Sequence, residues 1–116
     1  MSFDLAFWWE KPTPSTSSAA ATYGRLVEGE LTVTETARNA ALDVASFYTE
    51  VTAAYPEICE ENMNSSPWAS AIYKTDECVI VAISWSRADE LTPVLCDMAL
   101  RHGLTTFDPQ SSSVLT

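Results

Sequence analysis

The sequence predicts an α+β domain built on an antiparallel sheet, and two periodicities carry this prediction. Apolar residues recur at three- and four-residue spacing within Glu35–Tyr55, which is typical of an amphipathic helix. Apolar side chains fill alternate positions of Cys78–Trp85, which is typical of a strand. The chain has 116 residues, of which 47% are hydrophobic, so a single domain with its own core is expected.

The amino-terminal segment Ser2–Trp9 predicts the first strand, because aromatic and aliphatic residues alternate along it. Lys11–Ser18 combines two prolines with five hydroxyl residues, which predicts a loop that also supplies helix N-cap residues. Ala19–Val27 allows an extra short helix ended by Gly29, although Gly24 disfavours helix there.

The strongest helix is predicted over Glu35–Tyr55. Thr34 is a suitable N-cap, and Pro56 ends the helix because the residue before a proline resists helical backbone angles. Its core-facing stripe consists of Val44, Phe47, Tyr48, Val51 and Tyr55.

A β-hairpin is predicted after the polar loop Glu57–Pro67. Its strands are Trp68–Tyr73 and Cys78–Trp85, joined by the turn Lys74–Glu77. Both faces of the second strand are apolar, which suits a central position in the sheet.

The turn sets the register of this hairpin. With a two-residue loop, counting back along the strands places Tyr73 opposite Ile80 and Trp68 opposite Trp85. Two tryptophans would then meet across the strands.

The second helix has two alternative starts. Ser86 and Asp89 resemble a capping box, which begins the helix at Arg87. Alternatively, Thr92 is the cap and Pro93 occupies the first helical position, where proline is favoured. Either helix buries Leu91, Leu95, Met98 and Ala99.

The end of this helix is better defined. Arg101 and His102 suit the negative end of the helix dipole, and Gly103 suits the position just after it. Leu104–Phe107 then predicts the last strand.

The resulting order is β-α-β-β-α-β, which matches the ferredoxin-like split βαβ plan. Helices would cover one face of a four-stranded antiparallel sheet. The domain would span residues 1–110, and residues 111–116 would form a loose tail.

The formal charge is −10, because the chain has 16 acidic and 6 basic residues. Binding to nucleic acid or to anionic membranes needs clustered Lys and Arg, so both are disfavoured. A partner with a basic surface is favoured.

The predicted topology brings acids from three segments to one end of the sheet. The loop before the hairpin, the turn after it and the end of the last strand all lie there. We call this the acidic end, and its residues are Glu57, Glu60, Glu61, Asp89, Glu90 and Asp108. The alternative is a solvated face that only aids solubility.

Trp68 and Trp85 would lie at the mouth of the acidic end. Tryptophan surrounded by charged groups is typical of interface hot spots. The alternative is that both indoles belong to the core.

The sequence shows no catalytic constellation, no metal-ligand spacing and no cofactor motif. The single histidine, His102, lies six residues after Cys96, so on a helix the two side chains point apart. We therefore expect no enzyme activity, no metal and no cofactor.

The three cysteines are odd in number and lack CxxC spacing. Mostly buried free thiols and a reducing cytoplasm are expected. Neither a transmembrane helix nor a secretory signal is predicted.

Three stretches resemble a group of known proteins: the opening Met-Ser-Phe-Asp-Leu-Ala-Phe-Trp, the central Ser66-Pro67-Trp68, and the late His102-Gly103-Leu104 followed by Phe107-Asp108-Pro109-Gln110. The chain resembles small acidic bacterial proteins, some of which look like immunity proteins of polymorphic toxin systems. This resemblance implies a toxin as partner and implies no catalytic residues.

The sequence thus predicts a non-enzymatic cytoplasmic immunity protein, monomeric or dimeric when free, that occludes the basic cleft of a cognate toxin. One alternative is a dimeric ferredoxin-like enzyme or small-ligand-binding protein, with Phe7, Trp8 and Trp9 lining a cavity. Another is a homo-oligomeric module paired through the edge strand Trp68–Tyr73.

Overall fold

The computed structural model describes residues 2–29 and 35–115, and for residues 35–39 it describes the backbone only. The α+β class and the antiparallel sheet are confirmed. The elements of the described ranges are β1 (Ser2–Trp9), α1 (Thr16–Val27), α2 (Glu35–Ala54), β2 (Tyr73–Lys74), β3 (Cys78–Ser84), α3 (Trp85–Arg101), β4 (Leu104–Asp108) and β5 (Ser113–Leu115). The predicted N-cap Thr34 lies outside the described residues.

The sheet has five strands in the order β2-β3-β1-β4-β5, and all neighbouring strands are antiparallel. The predicted number of four is therefore wrong. The fifth strand is Ser113–Leu115, which pairs with β4 in the segment predicted as a loose tail. Asp108 stabilises this β4–β5 hairpin, because its carboxylate accepts hydrogen bonds from the turn that joins the two strands.

Helices cover both faces of the sheet, not one face as predicted. Leu5 and Phe7 of β1 pack on the side of α2 and α3, in the larger core. Ala6 and Trp8 pack on the opposite side, in a second core with Leu26 of α1. Both faces of β1 are apolar, so each needs a cover.

The expected stripe of α2 faces the larger core. Val44, Phe47 and Val51 are buried, while Tyr48 and Tyr55 pack at its border. The spacing of apolar residues therefore predicted this helix correctly.

Helix α3 begins earlier than either predicted start. Ser84 is the N-cap and Trp85 is the first helical residue, so the strand β3 ends before Trp85. The helix runs through Pro93 without interruption. It ends as predicted, because His102 is the C-cap and Gly103 follows with a φ of +74°.

The first strand of the hairpin is much shorter than predicted. Tyr73 pairs with Ile80 as expected, but Trp68 pairs with Ile83 instead of Trp85. Five residue steps separate Trp68 from Tyr73, and only three separate their partners, so two extra residues bulge out of the ladder.

Candidate functional site

The loop before β2 and the start of α3 lie together at one end of the sheet, as the hairpin geometry predicted. The Ser84 amide donates to the Pro67 carbonyl at 2.8 Å, and the Arg87 guanidinium donates to the Ser65 carbonyl at 3.3 Å. These bonds fix the loop beside the first turn of the helix.

The Glu57 carboxylate is hydrogen-bonded within the protein and is not free to bind a partner. The Tyr48 hydroxyl donates to its Oε2 at 2.7 Å, and the Ile72 amide donates to its Oε1 at 3.1 Å. The hydrogen bond to this carboxylate raises the pKa of Tyr48, and burial of the phenol adds to the increase. Glu57 therefore joins α2, the loop and the bulge before β2.

Four acids of the acidic end are exposed to solvent: Glu60, Glu61, Asp89 and Glu90. Glu90 pairs with Arg87, whose pKa is raised by this hydrogen-bonded carboxylate. Among the described residues, the other three acids have no ion-pair partner. Three carboxylates at this end are thus free to meet an incoming cation.

Trp68 is a core residue and does not lie at the mouth of the acidic end. Its side chain is 1% exposed, and its indole N–H donates to the Tyr55 carbonyl at 3.0 Å. The ring packs edge-on against Tyr55. The indole of Trp68 therefore connects the end of α2 to the sheet.

Trp85 is 48% exposed and is the aromatic group that this end presents. Its ring meets Phe3 edge-on, with 5.3 Å between ring centroids and an interplanar angle of 75°. Asp89 follows one helical turn later on the same side of α3. Arg87 lies about 200° around the helix from Trp85, on the side of the loop.

Asp108 lies at the same end of the sheet but is not available to a partner. It is 8% exposed, and its carboxylate accepts the Gln110 amide at 2.9 Å and the Ser111 hydroxyl at 2.9 Å. Its strand β4 is separated from β3 by β1. The six predicted acids therefore do not form one continuous patch.

The structure narrows the acidic end to a smaller set, which we call the loop–helix surface. It is formed by Glu60, Glu61, Trp85, Asp89 and Glu90. Sequence reasoning missed the contribution of two residues that support this surface. Arg87 could have been recognised from its position three residues before Glu90, but Phe3 could not, because its contact depends on the register of β1 against β3.

The described residues contain no group of three or more His, Cys, Asp or Glu side chains arranged to hold a metal ion. His102 Nε2 lies 3.2 Å from Glu50 Oε1, and the imidazole meets the Phe47 ring edge-on. Phe7 and Trp8, which the enzyme alternative places in a cavity wall, are packed in the two cores.

The cysteines differ in exposure more than the sequence suggested. Cys78 is buried, which raises the pKa of its thiol, and Cys96 is partly buried. Cys59 is exposed, and its sulfur lies 3.6 Å from a carboxylate oxygen of Glu61.

No protein-family model matches this chain, and neither a curated protein nor a solved structure is significantly similar to it. Within the described ranges, no helix has the length and apolarity needed to cross a membrane.

Proposed function

We propose that this chain is a non-enzymatic binding protein of the bacterial cytoplasm, an immunity protein that neutralises a cognate toxin by covering the toxin's basic active-site cleft. The loop–helix surface makes the contact. No chemistry is performed, and the toxin is inhibited by occlusion.

The observation that carries this proposal is the exposure of Trp85 one helical turn before the free carboxylate of Asp89. A half-exposed indole has apolar area that a partner can bury, and the Phe3 ring packs edge-on against it. Rigid aromatic groups with charged neighbours are the usual anchors of tight interfaces.

The charge of the chain supports the same partner. A protein of formal charge −10 attracts a basic surface over long range, which raises association rates well above the neutral ~10⁵–10⁶ M⁻¹s⁻¹. Glu60, Glu61 and Asp89 then supply the acceptors that pair with Lys or Arg of the toxin.

The proposal extends to the architecture. The sheet is a variant of the ferredoxin-like split βαβ plan, extended by β5 at one edge and covered by α1 on its second face. The order β2-β3-β1-β4 of the first four strands supports this relationship.

Co-expression with the product of the adjacent reading frame tests the function. The chain is expected to restore growth to cells in which that product is toxic. A variant in which Glu60, Glu61, Asp89 and Glu90 are all alanine is expected to lose this protection.

The matched control replaces Glu28, Asp43, Asp76 and Asp97 by alanine. All four are exposed and lie outside the loop–helix surface, so the control removes the same amount of charge. Equal loss of protection in both variants would contradict the proposed surface, and a non-toxic neighbour would contradict the proposed function.

A further inference from the structure

The two edges of the sheet are protected to different degrees. At the β2 edge, the strand has only two residues, and the adjacent Ile72 amide is bound by the Glu57 carboxylate. Lys74 and the bulge before Tyr73 also disfavour the addition of a strand. The β2 edge is therefore blocked within the protein itself.

The β5 edge is nearly as short, with three residues, but its pairing with β4 is regular and has no bulge. Ser113–Leu115 pairs with β4 on one side and is the last strand of the described sheet on the other. Its side chains are uncharged, and it contains no proline. Its outer backbone groups can therefore pair with another strand.

We propose that β5 pairs with β5 of a second copy of this chain. The two strands run antiparallel and are related by a two-fold axis perpendicular to the sheet. Such an axis makes the contact self-complementary, which closes the assembly at two copies. The sheet then continues from one protomer into its partner, and both α1 helices lie on the same face.

The position of α1 fits this arrangement. The helix lies over β4 and β5, where its core residues meet Phe107 and Val114. Strands are about 4.8 Å apart, so a helix above the space between β4 and β5 lies about 5 Å from the axis. The two α1 helices are then about 10 Å apart, which is a normal helix-packing distance.

The exposed surface of α1 allows this close approach because most of its side chains are small. These residues are Ser17, Ser18, Ala20, Ala21 and Gly24. The space beside Gly24 is open, since a Cβ added there would meet no atom within 4 Å apart from its chain neighbours and the backbone of its own helix.

Charge favours a second copy over a basic partner at this edge. The strands β4 and β5 carry one charged residue, Asp108, and its carboxylate is used within the turn. The loop–helix surface lies on the other side of β1, so the free acids of the two copies do not meet. At the C-terminal end of α1, Arg25 and the C-cap residue Glu28 carry opposite charges.

Sedimentation equilibrium of the purified full chain tests the proposal. We expect a dissociation constant on the order of 100 µM, because three-residue strands and one helix pair bury less area than a standard interface. Added salt is expected to strengthen the dimer, since it screens the repulsion between two chains of charge −10. A monomer at concentrations up to about 1 mM, or a dimer weakened by salt, would overturn the proposal.

Ser113→Glu places a like charge on each paired strand and is expected to weaken the dimer about tenfold. Tyr73→Glu is the matched control, because it adds the same charge at the β2 edge and is expected to leave the dimer unchanged. If Ser113→Glu does not fold, Ala21→Glu on the exposed surface of α1 replaces it, with the same expected weakening. A dimer that is insensitive to the substituted edge or helix contradicts the proposed contact.

Hydrogen exchange on the unmodified chain gives a second readout. The amides of residues 113–115 are expected to exchange more slowly at high than at low protein concentration, whereas those of Tyr73 and Lys74 are expected to be unaffected. No concentration dependence at β5, in a sample that sedimentation shows to be dimeric, would also overturn the proposal.

Discussion

Two tryptophans that the sequence places side by side have different roles at the residue scale. Trp68 fills the larger core and joins the sheet to the end of α2, whereas Trp85 contacts Phe3 and leaves about half of its surface in solvent. The difference follows from the register, because Ile83 and not Trp85 lies opposite Trp68.

Replacing each tryptophan by alanine should therefore give very different stabilities. Trp68→Ala is expected to lower the free energy of unfolding by about 3–5 kcal/mol, because it opens a large cavity. Trp85→Ala is expected to lower it by less than about 1 kcal/mol, as for most exposed positions. Urea denaturation measures the free energy of unfolding of both variants. Equal losses would contradict the burial of Trp68 and the exposure of Trp85.

Among the three acids of the loop before β2, Glu57 is the one whose loss should destabilise the protein most. Glu57→Ala removes the acceptor of both the Tyr48 hydroxyl and the Ile72 amide. Because bonds to a charged acceptor contribute more than neutral ones, a loss of about 2 kcal/mol is expected. Glu60→Ala is the control for the same denaturation experiment, and it should change stability by no more than about 0.5 kcal/mol.

Tyr48 should give this contact a pH dependence at alkaline pH. The folded-state pKa of Tyr48 is raised above its ordinary value of 10.0, so the neutral phenol is favoured by folding. Its contribution is fully present below pH 10.0 and is lost as the pH rises through the folded-state pKa. Comparing the unfolding of the wild type and Tyr48→Phe across this range should show their difference in stability shrinking with pH, whereas a constant difference would exclude the effect.

At the scale of elements, the β4–β5 hairpin combines a favourable turn with one strained residue. Asp108 accepts hydrogen bonds from the turn, and the Gln110 side chain bonds both backbone groups of Asp4 on β1. Ser112, however, has a φ of +50°, in the region that favours glycine.

Ser112→Gly is therefore expected to stabilise the fold by about 0.5–1 kcal/mol, since the strain of a side chain at positive φ exceeds the entropic cost of glycine. The neighbouring Ser111→Gly is the control and should destabilise it, because the Ser111 hydroxyl donates to Asp108. Thermal unfolding of both variants decides the point, and a destabilised Ser112→Gly would refute the assignment of strain.

The elements also show where sequence patterns suffice. The apolar spacing of α2 and the alternation of β3 are local, so both were predictable. The shortening of the first hairpin strand was not, because it depends on the Ile72 amide bonding to a carboxylate fifteen residues away. The start of α3 was missed since Trp85 continues the apolar alternation of β3, although the chain turns into a helix there.

The candidate site was also predictable only in part, because some of its features depend on contacts between residues far apart in the sequence. Counting along the hairpin correctly brought the loop and the start of α3 together, because that adjacency needs only the direction of the strands. Which acids remain free depends on tertiary hydrogen bonds, and these bind Glu57 and Asp108 but leave Glu60, Glu61 and Asp89 exposed. The cover of the second face by α1 was wrongly excluded when all helices were predicted on one face, although both faces of β1 are apolar.

At the scale of the whole molecule, the sheet separates two surfaces of different character. The loop–helix surface carries free carboxylates and Trp85, so it suits a basic partner whose association weakens with salt. The β5 edge is neutral and suits a second copy, whose association strengthens with salt. The opposite signs of the two salt effects allow the surfaces to be studied separately in one protein.

The proposal that Trp85 anchors the partner is tested by the affinity of the Trp85→Ala variant for the purified product of the adjacent reading frame, which the proposed function requires to be a toxin. Isothermal titration should show a loss of about 30-fold, the effect of an interface hot spot. Leu100→Ala is the matched control, because Leu100 is a 54% exposed apolar residue of the same helix outside the loop–helix surface, and it should change the affinity by less than about twofold. An affinity of Trp85→Ala within about twofold of the wild type would contradict the proposal that this surface holds the partner.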